Sequence, residues 1–215
     1  IYRISKKGSE HEWRAATKNS PNGIARDIAL RESFRKGESN LWSKKEIMNG
    51  LISKERSVRR IALRKSERLT EIIPQVLELA NDPDPKVRLQ AAYTFGEFES
   101  DRAGHALAQI AQRDGEDLYF AAAVLSSSIP HFRTLAGSEK LSSSITQGLL
   151  KMSHRFPGMG EKISNRILVN WSGPDKWSLL ASSPSVFRER ARAAAVIAAN
   201  DAGLSSDERA LAVRL

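Results

Sequence analysis

The sequence predicts an all-α protein, an α-solenoid of antiparallel helix pairs with a short extended N-terminal tail. Apolar residues recur with a helical period from residue 9 to the end of the 215-residue chain. A phrase of the form apolar-Arg-x-x-Ala returns about every 30 residues, which is a typical helical-repeat period. One helix pair cannot bury both of its faces, so such repeats must stack on their neighbours.

The first eight residues are predicted to be the end of a domain that precedes the helices. Tyr2 and Ile4 alternate with polar residues in a strand pattern, and Gly8 marks a turn. One strand alone has no hydrogen-bonding partner, so we expect residues 1–8 to complete an upstream sheet. The chain begins with Ile1, and we expect it to be a fragment of a longer protein.

Residues 9–215 are predicted to be one helical repeat domain. The first predicted helices run from Ser9 to Asn19, from the Pro21-Asn22-Gly23 break to about Lys36, from Ser43 to about Ile52, then to Leu69, and from Thr70 to Ala80. Near the end of the chain, Ser205 and Glu208 have the spacing of a capping box, which predicts a last helix.

The clearest helix start lies in residues 82–92. Asp84 can cap the helix, and Pro85 occupies the first helical position, where its missing N–H has no cost. Val87 and Ala91 continue on one apolar face. This acidic turn and the helix after it are the best copy of the repeated phrase.

The repeats can be aligned on that phrase. Ile24–Ala29, Ser57–Ala62 and Lys86–Ala91 are three copies, Glu116–Ala122 is a degenerate fourth with Tyr119 at the Arg position, and Val186–Ala191 is a later one. The repeats are predicted to be regular over residues 20–128 and irregular over residues 129–182.

Arginine recurs at one position of the repeat, as Arg26, Arg59 and Arg88. These side chains either form a ladder for phosphate or carboxylate ligands, or reach an acidic turn residue of the next repeat. In the second case, Arg26, Asp84 and Asp117 are the residues predicted to hold neighbouring repeats together.

A binding surface is predicted on the face lined by the second helix of each pair. Arg59, Arg88 and Tyr119 are the residues expected on this face. Trp171 and Trp177 flank a Gly-Pro turn, where they either contact a partner or pack between helices.

No catalytic constellation is found in the sequence. There are no cysteines, which excludes disulfides, thiolate metal sites and a cysteine nucleophile within these residues. His11, His105, His131 and His154 are far apart and form no metal-binding pair. We therefore expect a non-enzymatic segment that binds no cofactor, and no apolar run is long enough to span a membrane.

The positive charge of the chain lies in its first third. Residues 1–70 contain 18 Lys and Arg against 8 Asp and Glu, whereas residues 71–215 contain 16 against 17. A basic lobe of this kind either attracts nucleic acid, anionic lipid or an acidic partner, or is a solvated face used for solubility or for docking a neighbouring domain of the same chain. Binding to nucleic acid would require the basic residues to converge on one groove, and those concerned are Arg26, Arg31, Lys44, Arg59, Arg60 and Arg64.

Residues 82–91, Asp-Pro-Asp-Pro-Lys-Val-Arg-Leu-Gln-Ala, resemble HEAT repeats, and the likeness is closest to bacterial HEAT-like repeats also found in phycobilisome-lyase-type proteins. A narrower resemblance is carried by Ser20–Asp27, Val87–Glu97 and Ala123–Ser128. These stretches are similar to the segment between the β-propeller dehydrogenase domain and the c-type cytochrome domain of planctomycete-type membrane-bound dehydrogenases. Ile24 and Ala25 stand where that family usually has aromatic residues.

The resemblance implies a non-catalytic scaffold for protein–protein or inter-domain docking in a larger, redox bacterial protein. It implies a periplasmic or cell-envelope location for that protein; otherwise we expect a cytoplasmic one. The alternative is a basic nucleic-acid-binding module, which the likeness to HEAT-like DNA-alkylation-repair proteins implies. A lyase-like enzyme is a third possibility that rests on analogy of fold alone.

Overall fold

A computed structural model describes residues 42–67, 69–181, 183 and 185–214. The predicted N-terminal tail, the first two predicted helices and Arg26 lie outside the described residues. Within these ranges every regular element is helical, and no strand is present. The predicted all-α class is therefore confirmed.

Twelve α-helices are formed by the described residues. They are α1 (Lys44–Leu51), α2 (Arg56–Ser66), α3 (Ile73–Leu77), α4 (Pro85–Phe95), α5 (Asp101–Asp114), α6 (Leu118–Ser126), α7 (Phe132–Gly137), α8 (Ser143–Met152), α9 (Met159–Asn170), α10 (Pro174–Ala181), α11 (Ser185–Ala199) and α12 (Ser206–Val213). Short 3-10 helices occupy Thr70–Ile72, Glu78–Asn81 and Ser153–Arg155. None of these helices is both long and apolar enough to cross a membrane.

The chain divides into two compact units between Lys65 and Ser66. In the first unit, α1 begins at a capping box in which Ser43 and Glu46 satisfy each other's backbone N–H groups. Trp42 packs against the buried side chains of α2. A Cβ on Gly50 would lie only 2.8 Å from the Cβ of Ala62, so the absence of a side chain lets α1 and α2 approach closely.

The second unit consists of two layers of helices. Helices α3, α5, α7, α9 and α11 contact one another in sequence and form one layer, and α4, α6, α8, α10 and α12 form the other. Most consecutive helices also pack across the layers. The alternation continues through residues 129–182, so every helix of this unit is covered by a neighbour one repeat away, as in an α-solenoid.

Helix starts follow the sequence signals closely. The Asp84 carboxylate accepts a hydrogen bond from the backbone N–H of Lys86 at 2.8 Å, and Pro85 is the first residue of α4, as predicted. The capping box of Ser205 and Glu208 at α12 is also confirmed.

The predicted continuous helix from Thr70 to Ala80 is wrong. Only Ile73–Leu77 is α-helical, with a 3-10 segment on either side. Pro74 occupies the first turn of α3. Because proline has no N–H to donate and its ring clashes with the preceding turn, an α-helix cannot run through it without distortion.

Neighbouring repeats are joined by close backbone contacts at the end of α4. A Cβ on Gly96 would lie 2.7 Å from the Cβ and 2.9 Å from the Cα of Ser127. The buried ring of His131 donates from Nε2 to the carbonyl oxygen of Phe95 at 2.9 Å. These contacts hold the end of α4 against the segment that links α6 to α7.

Candidate functional site

Arg88 is at the centre of the best-connected polar cluster of the described residues. Its Nε and Nη2 donate to the two carboxylate oxygens of Asp114 at 2.9 and 2.6 Å. Its Nη1 donates to the carbonyl oxygens of Asp82 and Pro83 at 2.9 and 3.2 Å. The guanidinium therefore ties the turn before α4 to the end of α5.

This ion pair is nearly buried, since the side chains of Arg88 and Asp114 are only 14% and 11% exposed. Burial raises the pKa of Asp114, but the hydrogen bonds from Arg88 and Arg113 outweigh it and hold the pKa below its ordinary value. The hydrogen bond with Asp114 raises the pKa of Arg88, against the opposing effect of burial. Arg113 also donates to the carbonyl oxygen of Ala80, which extends the cluster to the 3-10 helix before the turn.

The acid that is hydrogen-bonded to Arg88 is Asp114, which is neither Asp84 nor Asp117, although the charge of Asp84 also raises the pKa of Arg88. Those two carboxylates cap α4 and α6, and Asp117 accepts from the backbone N–H groups of Tyr119 and Phe120 at 2.8 and 3.2 Å. Sequence reasoning missed Asp114. An acidic residue at a helix C-terminus is unfavourable to the helix dipole, so its position at the end of α5 was a signal that a cation lies nearby.

Arg59 repeats part of the Arg88 arrangement in the first unit. Its Nη1 donates to the carbonyl oxygens of Ser53 and Lys54 at 2.8 and 3.0 Å. These acceptors lie six and five residues before the arginine, as Asp82 and Pro83 do for Arg88. The repeated arginine therefore closes the turn inside these two helix pairs.

Tyr119 is not at the repeat position of Arg88, and that part of the predicted alignment is wrong. Counted from the capping residues Asp84 and Asp117, the equivalent of Arg88 is Ala121, and Tyr119 corresponds to Lys86. The spacing from Asp84 to Asp117 is two residues greater than the spacing that the phrase alignment assumed, which displaces the register by two residues. Tyr119 is 75% exposed.

The two candidate tryptophans have different surroundings. Trp177 is buried in α10, and Nζ of Lys176 lies 5.2 Å from the centre of its ring. Trp171 is half-buried after α9 and lines a cleft of about 720 Å³. We call this the Arg166 cleft, and its walls are formed by Glu139, Lys140, Leu141, Thr146, Arg166, Asn170, Trp171, Ser172, Pro174 and Asp175.

Among the described residues, no group of three or more His, Asp and Glu side chains is arranged to hold a metal ion. The geometry of the polar clusters is that of structural ion pairs and helix caps. The described surface offers other molecules the Arg166 cleft, a smaller one of about 290 Å³ beside His105, and several exposed apolar side chains.

Residues 46–128 match the family model for HEAT repeats. This segment is a HEAT-like repeat region. It begins in α1 and ends just after α6, and it contains both Arg59 and Arg88. HEAT repeats generally act as protein-interaction scaffolds and are typically non-catalytic. No curated protein and no solved structure matches the chain.

Proposed function

We propose that this chain is a non-catalytic scaffold that docks a protein, or an adjoining domain of the same polypeptide, on the second helices of its repeats. The observation that carries this proposal is the exposure of Leu118 and Tyr119, each 75% accessible in the first turn of α6. Single exposed apolar residues are common on protein surfaces, but two large adjacent ones at a rigid helix start suit an interface.

The local structure presents these two side chains in a fixed position. Asp117 caps the helix through two hydrogen bonds, so the first turn of α6 is held in place before a partner binds. A partner that covers them would therefore lose little conformational freedom in the scaffold. Tyrosine is also enriched among the residues that contribute most to binding at protein interfaces.

A photo-crosslinking amino acid at Tyr119 tests the proposal in cells that produce the natural protein. We expect adducts with one defined protein or with another domain of the same chain, and we expect Leu118→Ser to remove them without changing thermal stability. The matched control is the same crosslinker at Val169, which is 81% exposed on α9. The same adducts from both positions, or none from Tyr119, would refute the proposal.

The wider setting belongs to the same proposal. We infer that the chain joins a propeller dehydrogenase domain to a haem domain in a periplasmic or cell-envelope protein. The sequence similarity described above supports this setting. The reading frame on each side tests it, because it predicts a β-propeller upstream and a Cys-x-x-Cys-His motif downstream.

Binding of nucleic acid is the second candidate function. It is favoured by the crowding of positive charge on α2, where burial and the neighbouring charge of Arg64 lower the pKa of Lys65. Fluorescence anisotropy with a labelled DNA duplex tests it. Phosphate contacts release counterions, so the affinity should fall steeply as salt is raised. An affinity that does not depend on salt would contradict this function.

A further inference from the structure

Arg166, which lines the cleft, makes only the backbone half of the hydrogen bonds that Arg88 makes. Nη1 of Arg166 donates to the carbonyl oxygens of Ala136 and Ser138, at the end of α7. Nη1 of Arg88 likewise donates to two backbone carbonyls. In both side chains one nitrogen is used to hold a turn, which fixes the direction of the other guanidinium edge.

The two arginines differ at that other edge. The Nε and Nη2 edge of Arg88 binds both carboxylate oxygens of Asp114. In the part of the chain that the structure describes, no carboxylate is hydrogen-bonded to the same edge of Arg166. This edge belongs to a side chain that lines the cleft, so a molecule in the cleft can reach it.

The missing partner has an energetic consequence. Burial lowers the pKa of Arg166, and the charge of Glu139 only partly opposes this effect. A cation that has lost water and has no hydrogen-bonded anion is unfavourable, and a bound carboxylate would relieve the cost. The wall of the cleft also contains the buried hydroxyl of Thr146, which has no hydrogen-bond partner among the described residues.

We propose that the Arg166 cleft binds a carboxylate that stands beside an apolar or aromatic group. The carboxylate takes the position on Arg166 that Asp114 takes on Arg88, through a bidentate pair to Nε and Nη2. The half-buried indole of Trp171 provides the surface for the apolar group. The exposed Asn170 offers a polar group to the remainder of the ligand.

The volume and composition of the cleft suit a ligand of this size and chemistry. About 720 Å³ lies within the usual range of about 300–1,000 Å³ for ligand pockets. The negative residues of the lining do not satisfy Arg166 themselves. Asp175 accepts a hydrogen bond from the hydroxyl of Ser143 at 2.8 Å, and Glu139 is exposed.

This site is separate from Leu118 and Tyr119, so it can fail without affecting the docking proposal. Two sources of the carboxylate are distinguished by two pairs of probes. N-acetylphenylalanine is compared with its uncharged amide, and the capped dipeptide acetyl-Phe-Glu-amide is compared with acetyl-Phe-Gln-amide. Binding to the full chain is followed by NMR at the indole N–H of Trp171.

We expect at least one carboxylate to bind about ten-fold or more tighter than its uncharged partner, because hydrogen bonds to a charged group are stronger than those between neutral groups. Preference in the first pair identifies a free acid, and preference in the second identifies an acidic peptide. Arg166→Lys keeps the charge but removes the fork, so it should abolish the preference. Arg88→Lys is the matched control and should leave it intact.

The Glu139→Gln variant distinguishes two reasons for weak binding. Either Glu139 itself occupies the Nε and Nη2 edge of Arg166, or the cleft does not bind carboxylates. If Glu139 competes for Arg166 in solution, this variant should bind the carboxylates more tightly than the parent chain does. Equal binding of acid and amide by both the parent chain and Glu139→Gln would overturn the proposal. An equal loss of the preference in Arg166→Lys and Arg88→Lys would also overturn it.

Discussion

Replacing Arg88 with methionine should weaken the fold by about 3 kcal/mol. The substitution keeps a long apolar stem but removes all four hydrogen bonds of the guanidinium, and it leaves Asp114 only 11% exposed. Removing one partner of a buried ion pair costs about 3–5 kcal/mol. The lower end applies because Arg113 still donates to Asp114 at 3.1 Å.

Urea unfolding followed by circular dichroism measures this loss. With a slope of about 2 kcal/mol/M, the midpoint of the Arg88→Met variant should fall by about 1.5 M. Arg192→Met is the matched control, because Arg192 pairs with Glu189 on the surface, where the side chains are 59% and 69% exposed. Such exposed pairs contribute about 0–1 kcal/mol. The reasoning is refuted if the two variants lose the same stability.

Three further predictions concern the same unit. Gly96→Ala should lower the free energy of unfolding by about 1–3 kcal/mol, because the new Cβ would overlap Ser127. Gly137→Ala is the control and should not destabilise the fold, because the nearest atom to its Cβ would be 4.0 Å away. Equal urea midpoints of the two variants would contradict this prediction. Asp117→Ala should cost about 1 kcal/mol through loss of the α6 cap, and an unchanged midpoint would argue against that cap. The pKa of Asp114 is lower in the folded protein than in the unfolded chain, where it is about 4. Asp114 therefore contributes its full share of the free energy of unfolding above about pH 4, and this share should be lost as the pH falls through the folded-state pKa. Unfolding midpoints between pH 2 and 6 check this, and Asp114→Asn should flatten the curve.

The candidate site could be predicted from the sequence only where the contacts are local. The capping role of Asp84 depends on a backbone N–H two residues away, and the sequence predicts it correctly. The partner of Arg88 lies 26 residues further along the chain, so only the stacking of α5 on the turn before α4 identifies it. The alignment placed Tyr119 two positions away from its true equivalent because the repeats are of unequal length. Similarity of the repeated phrase alone does not show where each turn ends.

The Arg166 cleft had no sequence signature at all. Trp171 was selected as an aromatic residue near a turn, but nothing in its neighbourhood pointed to Arg166 or Thr146. These residues lie on α9 and α8, which are brought together by the layers of the second unit. A hydroxyl without a partner becomes visible only after the surrounding helices are in place.

The helical class, most of the helix starts and the presence of the repeat follow from the amino-acid sequence, because they depend on the apolar period, the capping residues and proline within a single turn. The tertiary structure alone decided which acid neutralises Arg88, which arginine is left with an open edge, and which apolar side chains stay exposed. Those properties depend on contacts between repeats, where the geometry of packing rather than the order of residues sets the neighbours.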